Sequence, residues 1–134
     1  MTAVVVDASA IVEYLFLTAK AHRISTWIES RAADLHVPEH CDLEVLQALR
    51  RPLRSGRLPP ARAAEAVEDY FDLPLTRHRH AGFLGRVLDL QDNFTAYDAV
   101  YVALAEFLDA VIVTADGPFE RAVRRHTGVD VLVA

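Results

Sequence analysis

The sequence predicts an α/β fold, a three-layer α/β/α sandwich in which helices cover both faces of a mostly parallel, five-stranded sheet. Short apolar runs rich in valine and isoleucine have the length and composition of buried strands. Between them lie longer stretches in which apolar residues recur every three or four positions, as they do on one face of a helix. Alternation of this kind is typical of a parallel sheet with helical connections. We expect residues 1–134 to form one domain.

Residues that start or stop helices support the predicted elements. Ser9 and Thr95 are good N-caps, Pro59-Pro60 and Gly117-Pro118 mark helix starts, and Ser55-Gly56 marks a helix end. The expected strands cover residues 3–7, 35–37, 73–76, 111–114 and 129–133. The expected helices cover residues 9–17, 19–32, 39–54, 60–71, 78–91, 96–108 and 117–126. Apolar stripes on three of these helices consist of Ile24, Trp27 and Ile28; of Cys41, Val45, Leu46 and Leu49; and of Phe83, Val87 and Leu90.

Three of the expected elements carry an aspartate towards one edge of the sheet. Asp7 and Asp116 each follow a strand, and the carboxyl ends of parallel strands are where such sheets bind ligands. Asp98 lies in the first turn of the helix that begins after Thr95. Clustered carboxylates repel one another unless a cation lies among them. Oxygen donors without cysteine or paired histidines favour Mg²⁺ or Mn²⁺.

Each acid also has a purely local explanation. Asp98 could complete a capping box with Thr95, and Asp116 could cap the last helix. Asp7 could be a turn residue, and Glu44 could be a solvated helix position. The residues alone leave both explanations open.

The composition argues against several functional classes. The single cysteine, Cys41, permits no internal disulfide and no cysteine-based zinc site. No apolar run is long enough to span a membrane, and the N-terminal residues do not resemble a signal peptide, so we expect the cytoplasm. The sequence contains no Walker loop, no G-x-G-x-x-G and no G-x-S-x-G motif. It also lacks H-E-x-x-H, and we expect His78 and His80 at the surface, as possible phosphate contacts.

The net charge of -5 conceals an uneven distribution of arginines. Lys20 is the only lysine among fourteen basic residues, and arginines are concentrated in the middle third of the chain. A basic surface of this kind attracts phosphate groups even when the net charge is negative. The arginines concerned are Arg50, Arg51, Arg54, Arg57, Arg62, Arg77, Arg79 and Arg86.

Four short motifs occur in order along the chain. They are V-V-D-A-S-A at 5–10, Glu44 alone on a mid-chain helix, T-A-Y-D-A-V-Y-V-A-L-A-E at 95–106, and V-T-A-D at 113–116. In these motifs the whole sequence resembles the PIN-domain ribonucleases, and in length and detail it resembles a VapC-type toxin of a bacterial toxin–antitoxin pair. The residues that the resemblance implies for the Mg²⁺ or Mn²⁺ site are Asp7, Glu44, Asp98 and Asp116, with Ser9 and Thr114 as polar neighbours. Some relatives carry further acids where this chain has Gly117-Pro118-Phe119. The sequence therefore leaves open whether the site binds one metal ion or two.

The resemblance implies an endoribonuclease that cleaves single-stranded or looped RNA and leaves 5′-phosphate and 3′-hydroxyl ends. A metal bound by Asp7, Asp98 and Asp116 would polarise the phosphodiester and activate a water for in-line attack. Glu44 would support this site or hold a second ion. The resemblance also implies a homodimer that a cognate antitoxin inhibits.

Two alternatives belong to other functional classes. A receiver-type signalling domain also has an acidic Mg²⁺ pocket, but it needs paired acids after the first strand and a lysine at a late strand end. Here Asp7 stands alone and Lys20 is the only lysine. The second alternative is a binding module whose acids only cap helices, and such acids would bind no Mn²⁺.

Overall fold

The computed structural model describes residues 1–134 and contains a fully parallel five-stranded sheet with seven helices. The strands are β1 Thr2–Val6, β2 Ala33–Pro38, β3 Leu75–His78, β4 Val111–Thr114 and β5 Val131–Val133. The helices are α1 Ala8–Leu15, α2 Ala21–Ile28, α3 Cys41–Arg54, α4 Pro60–Asp72, α5 Leu84–Asp89, α6 Ala96–Leu108 and α7 Gly117–His126. A 3₁₀ turn at Ala81–Phe83 precedes α5. The strand order is β3-β2-β1-β4-β5.

The helices cover both faces of the sheet. From β1 the chain moves outward through β2 to β3, and it then returns to β4 on the other side of β1. Because parallel crossovers are right-handed, this reversal places α1 to α4 on one face and α5 to α7 on the other. The packing agrees, since α1 packs on α2, α3 and α4 while α5 packs on α6. The predicted three-layer sandwich is confirmed.

The strand order reverses between β1 and β4, and the two strands end side by side. Val6 pairs with Val113, and the Asp7 N–H donates to the Val113 carbonyl at 2.9 Å. Ligands of doubly wound sheets bind outside the strand ends at such a switch point. The fold therefore brings the strand ends that carry Asp7 and Asp116 side by side.

The core surrounds α6 and β1. Every residue of α6 from Ala99 to Ala105 is buried, so this helix has no solvated face in its middle. Only three polar or charged residues are buried in the whole protein, namely Asp7, His36 and Thr114. Two of them lie at the switch point, where burial is tolerable because their side chains are hydrogen-bonded.

Several details differ from the sequence predictions. The strand expected at 73–76 lies two residues later, and the helix expected at 78–91 is reduced to the 3₁₀ turn and α5. The shift arises because His78 pairs with Pro38 of β2 and its side chain contacts His36. Leu46 is 44% exposed and does not belong to the buried stripe of α3.

The first two helices are also shorter than expected. Asp7, and not Ser9, occupies the N-cap position of α1, and no side chain caps that helix. The helix expected at 19–32 covers only Ala21–Ile28, because β2 already begins at Ala33. No helix has both the length and the apolar character needed to cross a membrane.

Candidate active site

Asp7 is a buried carboxylate held by two hydroxyl groups. Ser9 Oγ and Thr114 Oγ1 donate to its Oδ2 at 2.6 and 2.7 Å. Each hydroxyl has a single hydrogen, so the 3.1 Å contact between the two hydroxyl oxygens carries no proton of its own. Asp7 is 7% exposed, and this burial raises its pKa above the ordinary value while the two hydroxyl donors oppose the rise.

The same two hydroxyls connect Asp7 to the end of β4. Ser9 Oγ accepts the Ala115 N–H at 3.0 Å, and Thr114 Oγ1 accepts the Asp116 N–H at 3.0 Å. Ser9 was expected to cap α1, but its hydroxyl orients the Asp7 carboxylate. A direct part for Ser9 or Thr114 in cofactor binding stays a prediction.

Asp116 and Asp98 lie at the N-termini of two helices and differ in their local bonding. The Asp116 Oδ1 accepts the Phe119 N–H at 3.1 Å, so this side chain caps α7. Thr95 Oγ1 accepts the Asp98 N–H at 3.1 Å, but the Asp98 carboxylate returns no bond to Thr95. The capping box is therefore only half formed. Capping accounts for the position of Asp116 and does not account for the Asp98 carboxylate.

Glu44 projects from the first turn of α3 against the central helix. Its Oε1 accepts the Tyr101 hydroxyl at 2.7 Å and lies 3.3 Å from His40 Nε2. Partial burial raises the pKa of Glu44 to about 7; the Tyr101 hydrogen bond opposes the rise, and the charges of Asp7 and Asp98 add to it. Glu44 is thus not a freely solvated helix position.

Neighbouring acids contribute to the raised pKa values of three of the carboxyl groups, those of Asp7, Glu44 and Asp98, so these acids lie within reach of one another's charge. Burial raises the pKa of Asp98 to about 6, and the negative charges of Asp7 and Asp116 contribute to that rise. The charge of Asp116 likewise raises the pKa of Asp7. The fold brings together the residues that the motifs single out. Their catalytic and metal-binding roles stay predictions.

The donor set fits a hard divalent cation. Four carboxylates supply only oxygen ligands, as Mg²⁺ and Mn²⁺ prefer. No three His, Cys, Asp or Glu side chains lie close enough together to share one ion without moving. Carboxylates with no cation among them favour separated positions, so the acids would have to move inward to bind one.

Three residues near the acids were missed from the sequence. His40 contacts Glu44, and its i, i+4 spacing from that residue was a usable signal. Tyr101 donates to Glu44, but the two residues are far apart in the chain, so no local pattern indicated the contact. Lys20 Nζ donates to the carbonyl of Ala115 at 3.1 Å, which places a positive charge beside the end of β4.

His78 and His80 are partly exposed, and a part for them in phosphate binding stays a prediction. Both side chains are half-buried. His78 Nε2 lies 2.8 Å from His36 Nδ1, and His80 Nε2 lies 3.1 Å from Glu39 Oε1. These rings are engaged with other side chains of the protein.

Six of the eight arginines of the middle third fall into two groups of three. Arg62 donates to the Leu15 carbonyl, Arg77 pairs with Asp42, and Arg86 makes two bonds to Glu106. These three guanidinium groups are committed to the fold. Another three line a groove of about 440 Å³ along the C-terminal half of α3 and have no carboxylate partner: Arg50, Arg51 and Arg54.

Comparison with known proteins identifies the family. The family model described as the PIN domain matches residues 4–124. Ribonuclease VapC9 of Mycobacterium tuberculosis is 38% identical over 113 residues, which cover 84% of this chain and 85% of that protein. Ribonuclease VapC3 of the same organism is 39% identical over 119 residues, which cover 89% and 86% of the two chains.

Solved structures share the fold at low sequence identity. PAE2754 from Pyrobaculum aerophilum superposes with a TM-score of 0.73 at 22% identity, covering 97% of this chain and 83% of that one. VapC20 of M. tuberculosis, described as a sarcin–ricin loop cleaving toxin, gives 0.68 at 16% identity and covers 89% and 94%. VapBC2 from Rickettsia felis, bound to a promoter DNA fragment, gives 0.69 at 7% identity and covers 98% of both chains. Given the matches in sequence, the chain belongs to the PIN-domain family and, within it, to the VapC ribonucleases.

Proposed function

We propose that the protein is the toxin of a toxin–antitoxin pair, an Mg²⁺- or Mn²⁺-dependent endoribonuclease that cleaves single-stranded or looped RNA in the cytoplasm. The observation that carries the proposal is the convergence of Asp7, Glu44, Asp98 and Asp116 at the switch point of a VapC-family chain. Family membership also argues against the receiver-type alternative, which needs a second acid beside Asp7.

In this proposal Asp7, Asp98 and Asp116 hold the ion. When bound, a divalent cation supplies positive charge to the phosphodiester and lowers the pKa of a coordinated water. Ser9 and Thr114 keep the Asp7 carboxylate in one orientation through their hydrogen bonds to Oδ2. Without these two hydroxyl groups, the buried Asp7 carboxylate would lose both of its side-chain hydrogen-bond donors, which would make its burial costly.

Glu44 is placed to handle protons. Its pKa of about 7 lets its carboxylate take up or release a proton near neutral pH, and the Tyr101 hydroxyl fixes its orientation. In hydrolysis the water oxygen bonds to phosphorus, the bond from phosphorus to the 3′ oxygen breaks, and the 3′ oxygen takes a proton from solvent and leaves as a hydroxyl. Glu44 can accept the proton that the water loses.

Positive charge near the acids favours RNA binding. A cluster of carboxylates repels phosphates, so cations around it must supply the attraction. Arg51 lies seven residues after Glu44 on α3, roughly 10 Å along the helix axis and on the same side of it. Lys20 provides a cation on the β4 side. A single RNA strand could therefore contact the arginine groove while one of its phosphates lies at the acids.

The substrate proposal is tested on an RNA hairpin with an unpaired loop, incubated with Mn²⁺. We expect cuts in the unpaired nucleotides, with 5′-phosphate and 3′-hydroxyl groups at the new ends. The solved VapC20, described as cleaving a loop, supports a looped substrate. Cyclic phosphate ends would contradict the proposal, because they require attack by the RNA's own 2′ hydroxyl.

We further infer an antitoxin partner, which the solved VapBC2 of R. felis supports, and a homodimer, which rests on the family resemblance alone. An arginine of an inhibiting antitoxin segment could pair with the acids and exclude the metal. We therefore expect the complex to cleave RNA more slowly than the free protein. Mass measurement in solution gives the oligomeric state, and equal cleavage rates for free and complexed protein would refute the inhibition.

A further inference from the structure

An apolar pocket of about 160 Å³ lies on the side of the acidic cluster that carries Glu44 and Asp98. One wall is the first turn of α6, with Ala96, Tyr97 and Val100. The opposite wall is formed by Leu84 and Val87 of α5. None of these side chains belongs to the proposed metal site, so the proposed function leaves the pocket unused.

Aromatic rings complete the pocket. His40 and His80 both line it, with ring centroids 6.1 Å apart, and the ring of Tyr97 lies 6.0 Å from that of His40. Tyr97 is 64% exposed, so its ring is accessible to a ligand. The rings offer faces and edges against which a flat group can pack.

The pocket and the acids share residues. Tyr97 directly precedes Asp98 in the first turn of α6. His40 Nε2 contacts both the Tyr97 carbonyl, at 3.1 Å, and Glu44 Oε1, at 3.3 Å. Both of these partners are hydrogen-bond acceptors, so the Nε2 atom carries the hydrogen. The pocket therefore adjoins Glu44 and Asp98 through the residues that it shares with them.

We propose that this pocket binds one base of the RNA, stacked on the ring of Tyr97. The proposal rests on the proposed ribonuclease function, since it assigns a part of the same substrate. Its size supports the assignment, because a cavity of about 150 Å³ holds one benzene ring. The pocket thus matches the six-membered ring of a nucleobase. Unpaired bases are commonly bound by stacking on aromatic side chains.

An apolar side chain of a protein partner is the competing occupant. The aromatic lining and the position beside Asp98 and Glu44 favour the base, because any RNA whose phosphate reaches the acids must place its neighbouring bases close by. The two occupants differ in a measurable way. Only a base gives the protein a preference for RNA over a sugar–phosphate chain that has no bases.

The experiment compares three variants with the wild type in EDTA, where metal-dependent cleavage is prevented. Ala96→Leu fills the pocket from an exposed position, and Tyr97→Ala removes the stacking ring. Leu88→Ala is the matched control, since Leu88 is an exposed apolar residue of α5 that does not line the pocket. The probes are a fluorescein-labelled oligouridylate and an abasic ribose–phosphate oligomer of the same length, read by fluorescence anisotropy.

We expect the wild type to bind the oligouridylate about 5- to 100-fold more tightly than the abasic oligomer, as stacking on one aromatic ring provides. Ala96→Leu and Tyr97→Ala should lose most of this preference while their affinity for the abasic oligomer is unchanged. Leu88→Ala should keep it. Equal affinity of the wild type for both probes would overturn the proposal. If Ala96→Leu kept the wild-type preference for the oligouridylate over the abasic oligomer, the proposal would also be overturned.

Failure of this proposal is distinguishable from failure of the ribonuclease function. A wild type that prefers the oligouridylate but cuts no RNA with Mn²⁺ would uphold the base site and contradict the nuclease. A wild type that cuts RNA but binds both probes equally would uphold the nuclease and contradict the base site.

Discussion

At the level of single residues, the pKa values of Asp98, about 6, and Glu44, about 7, lie well above the ordinary values of free carboxyl groups. Burial is the main cause, and the charges of the neighbouring acids add to it. Perturbed groups of this kind cluster at functional sites, although structural networks also produce them. The metal-free protein therefore holds repelling charges that a bound cation would relieve.

Asp98→Asn tests whether repulsion or capping governs that position. Thr95 caps through the backbone N–H of residue 98, so the cap survives the substitution. We expect the variant in EDTA to be at least as stable as the wild type. Mn²⁺ at 100 times its dissociation constant should stabilise the wild type by about 2.7 kcal/mol, and the variant should lose most of this gain. Thermal melts with EDTA and with Mn²⁺ measure both effects.

Asp92→Asn is the matched control, since Asp92 is an exposed acid in the turn before α6. It should leave the response to Mn²⁺ unchanged. If Asp98→Asn were less stable in EDTA by about 0.5–1 kcal/mol and still gained fully from Mn²⁺, Asp98 would be only a helix-terminus residue.

The raised pKa values also predict how stability depends on pH. The folded-state pKa of Asp98 rises from 3.8 to about 6 and that of Glu44 from 4.5 to about 7, so the folded protein binds protons more tightly than the unfolded chain. The resulting stabilisation is fully present when the pH is below the pKa values of the unfolded chain. It is lost as the pH rises through the pKa values of the folded protein. In EDTA we expect the wild type to lose stability relative to Asp98→Asn between about pH 4 and 6. Denaturant unfolding across that range measures the difference, and a constant difference would contradict the prediction.

The positions of the three aspartates at strand ends and a helix start could be predicted from the sequence, whereas the hydrogen-bond partners of the acids could not. Asp7, Asp98 and Asp116 were found because strand ends and helix starts are local patterns. Ser9 bonds to residues near position 114, and Glu44 bonds to Tyr101, across separations that no local pattern encodes. Only the packed fold brings these groups together.

At the level of elements, α3 joins the acidic cluster to the arginine groove. Glu44 lies in its first turn, and Arg50, Arg51 and Arg54 line the groove near its end. We expect replacement of these three arginines by alanine to weaken RNA binding. The slope of log affinity against log salt should fall by about 0.7 for each phosphate of a single strand that the variant no longer neutralises. Binding titrations at several salt concentrations measure the slope.

Replacing Arg23, Arg31 and Arg125 removes the same charge from exposed positions outside the groove and is the control. That triple variant should retain most of the wild-type slope. An unchanged slope in the groove variant would move the RNA-binding surface elsewhere. Arg79 would then be the better candidate, because Arg77 is already paired with Asp42.

Element bounds were predictable where local signals are strong and failed where tertiary contacts decide. The helix at 96–108 and the strand at 111–114 match their predicted bounds, because Thr95 caps the helix and the strand is a pure apolar run. β3 and α5 were misplaced. Pairing with β2 extends β3 to His78, and this pairing leaves less chain for the following helix.

At the level of the whole molecule, the alternation of strands and helices predicted a parallel sheet, and the sheet is parallel. The order β3-β2-β1-β4-β5 could not be derived from that alternation, because strand neighbours depend on long-range pairing. The order matters for function. It puts the ends of β1 and β4 side by side and thereby brings Asp7 and Asp116 to the same place at the sheet edge.

The central claim is that the converging acids form a metal-dependent ribonuclease site, and RNA cleavage by wild type and Asp98→Asn tests it most directly. We expect the wild type to cut single-stranded RNA with Mn²⁺, to stop in EDTA, and to resume when Mn²⁺ is restored. A folded Asp98→Asn protein should cut at least about 100-fold more slowly, a loss of the size expected for a group acting in the transition state. Cleavage by the variant at near wild-type rate, or by the wild type in EDTA, would contradict the account.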